Sequence, residues 1–152
     1  MSNMRLTLAG ISKASVGLVL VLAGGCQFLA NLVSPNTVQV RLQNDGDFDV
    51  AVSMYVDGDQ NVLSDLIEDQ GTLLTFTLSP GEVQEFTRDC DDLQAIVVDN
   101  AELRVLGQIG PETSTDVLRD GDDFMCGDRI TFTFDHSAIF TDFRVNVAVS
   151  GR

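Results

Sequence analysis

Residues 129–134 read RITFTF, and this stretch decides the fold. On an extended chain Ile130, Phe132 and Phe134 fall on one side and Arg129, Thr131 and Thr133 on the other, because successive strand side chains point to opposite faces. The same period of two recurs along the chain. VQVRL (38–42) sets Val38, Val40 and Leu42 against Gln39 and Arg41, and DVAVSMYV (49–56) lines up Val50, Val52, Met54 and Val56. LLTFTL (73–78) offers Leu74, Phe76 and Leu78, and FRVNVAV (143–149) offers Phe143, Val145, Val147 and Val149. Five such segments, rich in β-branched and aromatic residues, predict half-buried antiparallel strands.

VQEF (83–86), LQAIVV (93–98) and ELRVL (102–106) add three more strands, giving about eight. NDGD (44–47), VDGDQN (56–61), SPGE (79–82) and VDNAE (98–102) carry the residues that punctuate strands and read as turns. VLSDLIEDQ (62–70) has apolar spacing compatible with a helical turn or two. Many short strands with regular turns predict an all-β chain folded as an antiparallel β-sandwich over residues 37–152. A length of 152 residues, 44% of them hydrophobic, supports one core and leaves little room for disorder.

The charge is one-sided. Nine basic residues stand against 23 acidic ones, and Arg5 and Lys13 are the only charges before residue 41. Beyond Cys26 seven arginines therefore face all 23 acids, a net charge of −16, and no lysine remains. Such a surface repels phosphate backbones, so no nucleic-acid partner is expected. It favours solubility and attracts cations or basic partners. The missing lysine removes Schiff-base and P-loop chemistry.

The N-terminal stretch has the layout of an export signal. MSNMRLTLAGISK carries two cations and no acid, and ASVGLVLVLAGG continues as an uncharged apolar run before Cys26. The cations stay cytoplasmic, which places the chain beyond the apolar run outside. LAGGC (22–26) resembles the lipobox of bacterial lipoproteins. That resemblance implies cleavage before Cys26, acylation of Cys26, a signal peptide over 1–25 and a lipid-anchored linker over 26–36. Gln27, in place of aspartate, implies outer-membrane sorting where the cell has an outer membrane. Two other readings stay open: an uncleaved anchor, since Ala14–Val33 is long enough to span a bilayer, and plain secretion. All three are extracytoplasmic, and the first two are membrane-anchored in the cell envelope. If Cys26 takes lipid, Cys90 and Cys126 remain as one disulfide pair in an oxidising compartment; the alternative is two unpaired buried thiols.

VRLQNDGDFDVAVSMYVDG (40–58) resembles the early strands of bacterial immunoglobulin-like modules, and LSPGEVQEF (78–86) is similar to a turn common in that class. The resemblance implies an immunoglobulin-like sandwich that binds, spaces or displays. It carries no catalytic residue over.

Two stretches are candidates for chemistry. DGDQNVLSDLIE (57–68) places Asp57, Asp59, Asn61, Asp65 and Glu68 at the spacing of a calcium loop, although Val62 stands where such loops need glycine. A plain Asp-Gly turn with acidic decoration explains the same letters. GPETSTDVLRDGDDFMCGD (110–128) reads as a long loop, and loops of that length are usually functional. A Cys90–Cys126 bridge would gather Asp89, Asp91, Asp92, Asp120, Asp122, Asp123 and Asp128 into a surface suited to a cation or a basic partner. Asp135, His136 and Ser137 are neighbours in sequence and so diverge on a strand, which argues against a triad. The expectation is a non-enzymatic envelope module, binding or structural, with no catalytic residues. The alternatives are a subunit of a larger envelope assembly held by an uncleaved anchor, and a small hydrolase working through acidic residues.

Overall fold

The computed structural model describes residues 36–105, 108–136 and 142–151. Two sheets lie face to face. Strands β1 (Thr37–Asn44), β4 (Val83–Asp89), β8 (Arg129–Asp135) and β9 (Arg144–Ser150) form one, in the order β4-β1-β8-β9. Strands β2 (Asp49–Asp57), β3 (Thr72–Leu78), β5 (Ala95–Val105) and β6 (Gln108–Thr113) form the other, in the order β3-β2-β5-β6. Short β7 (Leu118–Arg119) also pairs with β5, and a single helical turn, α1 (Ile67–Gln70), falls inside the 62–70 segment.

The period-two pattern places the core. Val38, Val40, Leu42, Val50, Met54, Ile130, Phe132 and Phe134 are fully buried between the sheets. Each such side chain contributes roughly 1.5–3 kcal/mol of transfer free energy. At the β3–β4 margin the Phe76 and Phe86 rings stack 5.7 Å apart and close the sandwich. A second, smaller cluster of Val62, Ile67, Ala95 and Val97 lies apart from the main core and packs α1 and its leading loop onto β5.

The immunoglobulin-like expectation is met in architecture, two packed sheets of short strands. The connectivity is different from the constant-type immunoglobulin order, in which the first, second, fifth and fourth strands share a sheet. Here β1 and β2 lie in opposite sheets, and β1 runs parallel to β8 while the other paired strands run antiparallel. Alternation marks which face is buried and is blind to the direction of the neighbouring strand, so one parallel pair is invisible to it.

Two turn-and-loop expectations are corrected. VDNAE is no turn: residues 95–105 are one strand, and the register with β2 slips where Ser53 faces Asn100 and Met54 faces Val98. Asp99 is the extra residue of a β-bulge, which uses the same strand-averse residues as a turn. The segment 110–128 is not wholly loop, because β6 runs into it as far as Thr113 and β7 lies within it. SPGE is a turn as expected. Gly81 takes φ +74°, and Glu82 N–H donates to Ser79 O, the geometry that wants proline then glycine at the centre. Glu82 reaches back to cap it. Its carboxyl is held below the ordinary 4.5 first by Gln84 Nε2 and then by Ser79 N–H, both at 2.8 Å.

Asn44 is the one buried polar residue of the described chain. Its Nδ2 donates to Phe48 O (2.8 Å) and Leu78 O (3.0 Å), and its Oδ1 accepts from Gly46 N–H (3.0 Å). One side chain from β1 thereby ties the β1–β2 turn to the end of β3 in the opposite sheet. A Cβ on Gly46 would stand 2.6 Å from Cδ2 of His136, so a larger residue there would have to push that ring aside.

Candidate functional site

The long connections gather at one end of the sandwich. There β2 leads into 58–71, β4 leads into a 3₁₀ turn at Cys90–Asp92, and β7 leads into 120–128. The Cys90–Cys126 disulfide joins two of them, with Cα atoms 5.5 Å apart. Cys90 is buried at its foot and Cys126 exposed at its rim. The start of β1 is tied to the same place, because Cys90 N–H donates to Asn36 O at 3.0 Å.

Gln94 and Arg119 hold the third loop, and no motif in the sequence singles out either. Gln94 N–H donates to Asp57 O (2.8 Å), its carbonyl accepts from Asp120 N–H (2.9 Å), and its Oε1 accepts from Gln60 N–H (3.4 Å). Arg119 donates to Gln60 O and, more loosely, to Ser64 Oγ at 3.4 Å. The partners of Arg119 lie 55 and more residues away, so no local pattern announces them. Between the loops lies an open groove of about 480 Å³, lined by Asn61, Leu63, Arg119 and Asp122 among others.

The acidic residues decorate this scaffold. Asp89, Asp91, Asp92, Asp122 and Asp123 are exposed, while Asp120 and Asp128 are half-buried. Asp123 Oδ2 accepts from Arg119 N–H, and Asp128 Oδ2 from Met125 N–H, both at 2.9 Å, so these two also shape the backbone. Leu63 and Met125 stand 61% and 64% exposed, apolar points beside the carboxylates. Among the described residues no three His, Cys, Asp or Glu side chains group closely enough to hold a metal ion.

Of the calcium-like spacing, Asp57, Asp59 and Asn61 share one turn, and Asp65 and Glu68 follow toward α1. Asp57 Oδ1 accepts from Asp59 N–H, and Asp59 Oδ1 from Asn61 N–H, both at 2.8 Å, the self-bonding of plain Asx turns. Asp65 is exposed ahead of α1, and Glu68 turns away to β5, where it meets Asp99 at the bulge. Glycine is absent where a calcium loop must curl, and Glu68 lies on α1.

The meeting of Glu68 with Asp99 makes stability depend on pH. The charge of Asp99 is the main reason the Glu68 carboxyl sits above the ordinary 4.5; a hydrogen bond with Asp99, desolvation and Asp69 act in the same direction. The folded chain thus binds this proton more tightly than the unfolded one. The contribution is favourable at low pH and is lost as pH rises from 4.5 through the raised value. Glu68→Gln is expected to melt at a higher temperature than the native chain at neutral pH. The advantage should vanish below pH 4.5, and thermal unfolding followed by circular dichroism at both pH values checks it.

His136 closes the other end of the sandwich, where its Nε2 accepts from Asp47 N–H at 2.9 Å and its ring lies 5.5 Å from that of Phe48. It points to the β1–β2 turn, as a strand-end residue. Cys26 and the apolar Ala14–Val33 segment lie outside the described residues.

No family model matches the chain, and no curated protein does. Solved structures share its outline at low identity. An NMR structure of a protein from Eubacterium rectale matches with TM-score 0.46 and 12% identity, over 76% of this chain and 91% of that one. The T6SS lipoprotein TssJ1 from Pseudomonas aeruginosa gives 0.45 and 13%, over 78% and 98%. The membrane-binding domain of pneumolysin gives 0.44 and 8%, over 76% and 99%. At these values the likenesses carry no functional argument. Its own fold and site define the class: an acidic all-β sandwich with one end pinned by a disulfide.

Proposed function

We propose that this chain is an exported, lipid-anchored protein of the cell envelope, a non-enzymatic module that docks a basic protein surface on its acidic loop end. The observation that carries the reading is the Cys90–Cys126 bridge. It accounts for two of three cysteines in a form suited to an oxidising compartment, and it leaves Cys26, at the end of LAGGC, as the odd one. The same bridge, with Gln94 and Arg119, makes the acidic loops a built surface.

Acylation at Cys26 would leave residues 26–36 as the tether. At roughly 3.5 Å per residue it reaches at most about 35 Å. Because the chain joins β1 at the disulfide end, the acidic loops would work close to the bilayer.

The test is the non-reduced intact mass of the protein recovered from native membranes. A mass for residues 26–152 plus acyl chains, less two hydrogens, is expected. A full-length mass without lipid overturns acylation at Cys26 and leaves Ala14–Val33 as an uncleaved anchor. For docking, a variant with Asp91, Asp92, Asp122 and Asp123 all changed to Asn is cross-linked in native membranes beside the native chain. The native chain should yield a discrete adduct that weakens with added salt and is lost in the variant. An adduct equally strong in both would overturn the acidic surface as the contact.

A further inference from the structure

Strand β9 is the edge of its sheet, and its inner face is only partly covered. Val145, Val147 and Val149 lie opposite Phe134, Phe132 and Ile130, which are wholly buried, so all three valines look into the sandwich. Yet Val147 and Val149 are each 38% exposed. Natural edge strands are guarded by lysine, proline, a bulge or an inward charge. Apart from the charge of Arg144 at its first position RVNVAVS has none of these, and its register with β8 runs unbroken.

The hydrogen-bonding side of β9 can be read from its neighbour. Gln39 N–H donates to Asp128 O and Asp45 N–H to Phe134 O, so even-numbered residues along β8 turn their backbone groups to β1. The odd ones turn to β9, where Arg129, Thr131, Thr133 and Asp135 pair with Ser150, Ala148, Asn146 and Arg144. Val145, Val147 and Val149 are left with their N–H and C=O groups pointing outward.

We propose that this edge pairs antiparallel with β9 of a second copy, about a two-fold axis at Val147. Only that register uses the whole strand. Val147 meets its own equivalent, Val145 meets Val149 of the other copy, and every outward N–H faces an outward C=O. The valines of both copies form one apolar strip. Charge selects this edge in a chain that otherwise repels itself, because no acid occurs after Asp142. Arg144 of each copy comes beside the Ser150–Gly151 end of the other, while its guanidinium stays on Asp135 of its own copy at 3.1 Å. Arg129 is turned the other way, onto Gln39 Oε1 at 2.9 Å. Edge strand β4 carries Glu85 and Asp89, and uncharged β3 comes directly after Glu68 and Asp69 of α1. A self-pair of β9 also closes on itself, whereas β9 on any other edge would grow open chains.

The test uses the full chain in detergent. Sedimentation velocity should show a concentration-dependent species of twice the chain mass. Val147→Cys should cross-link to a dimer under mild oxidation, since paired Cα atoms stand about 5.5 Å apart across such a pair. Val83→Cys, on edge strand β4, should not. Val147→Lys should raise the dimer dissociation constant roughly tenfold or more by placing a charge in the seam. The side chain is already part-exposed, and an unchanged far-ultraviolet spectrum confirms that the sandwich is intact. A monomer at every concentration overturns the proposal, as does equal cross-linking of the two cysteine variants or a dimer indifferent to Val147→Lys.

Discussion

A chain carrying Cys90→Ala and Cys126→Ala together is expected to lose about 4 kcal/mol of stability. The bridge closes a loop of 36 residues, and removing it restores to the unfolded chain the freedom that the covalent link denies. Changing both cysteines avoids a stray thiol. The folded state loses little else, because Cys126 is exposed and Leu93 and Phe124, buried beside the two half-cystines in sequence, stay in place. Urea unfolding followed by circular dichroism should show the midpoint falling with the slope little changed. A loss below about 1 kcal/mol would mean that the unfolded chain already holds these loops together. The acidic loop end should loosen before the sheets do, so hydrogen exchange should quicken first at 90–94 and 120–128.

Asn44→Leu is the second large effect, also near about 4 kcal/mol, and for an opposite reason. Leucine keeps most of the packing. What is lost is the set of partners: Phe48 O and Leu78 O lose a donor, and Gly46 N–H loses an acceptor. A buried group deprived of its partner costs roughly 1–3 kcal/mol; the bond to Leu78 O is buried, and those at Phe48 O and Gly46 N–H are part-buried. Asn44→Asp should lose at least as much at neutral pH, because it buries a carboxylate whose second oxygen faces the Phe48 and Leu78 carbonyls. The same urea titration ranks the three chains; a leucine variant as stable as the native one would show that water replaces the amide.

Asn44 also marks the limit of what local letters convey. In NDGD it reads as a turn residue, and the Gly46 bond confirms that much. Its tie to Leu78 spans 34 residues and two sheets, which no dipeptide rule reports. The acidic end divides in the same way. The seven aspartates and the pairing of Cys90 with Cys126 were legible, the second once Cys26 was set aside. The grip of Gln94 and Arg119 was not, because it depends on where three distant loops come to rest. The calcium spacing was legible, whereas the meeting of Glu68 with Asp99 was not.

The sequence by itself determined the buried faces of β1, β2 and β8. Alternation is a property of successive side chains, and Val38 to Leu42, Val50 to Val56 and Ile130 to Phe134 obey it residue by residue. Only the tertiary structure decided what each strand lies beside. VDNAE became a bulge because β2 holds both sides of it in register, and β1 runs parallel to β8 although the two strands are far apart in sequence. Val147 obeys the period as faithfully as Phe132 yet stays 38% exposed, because burial needs a partner overhead as well as an inward direction.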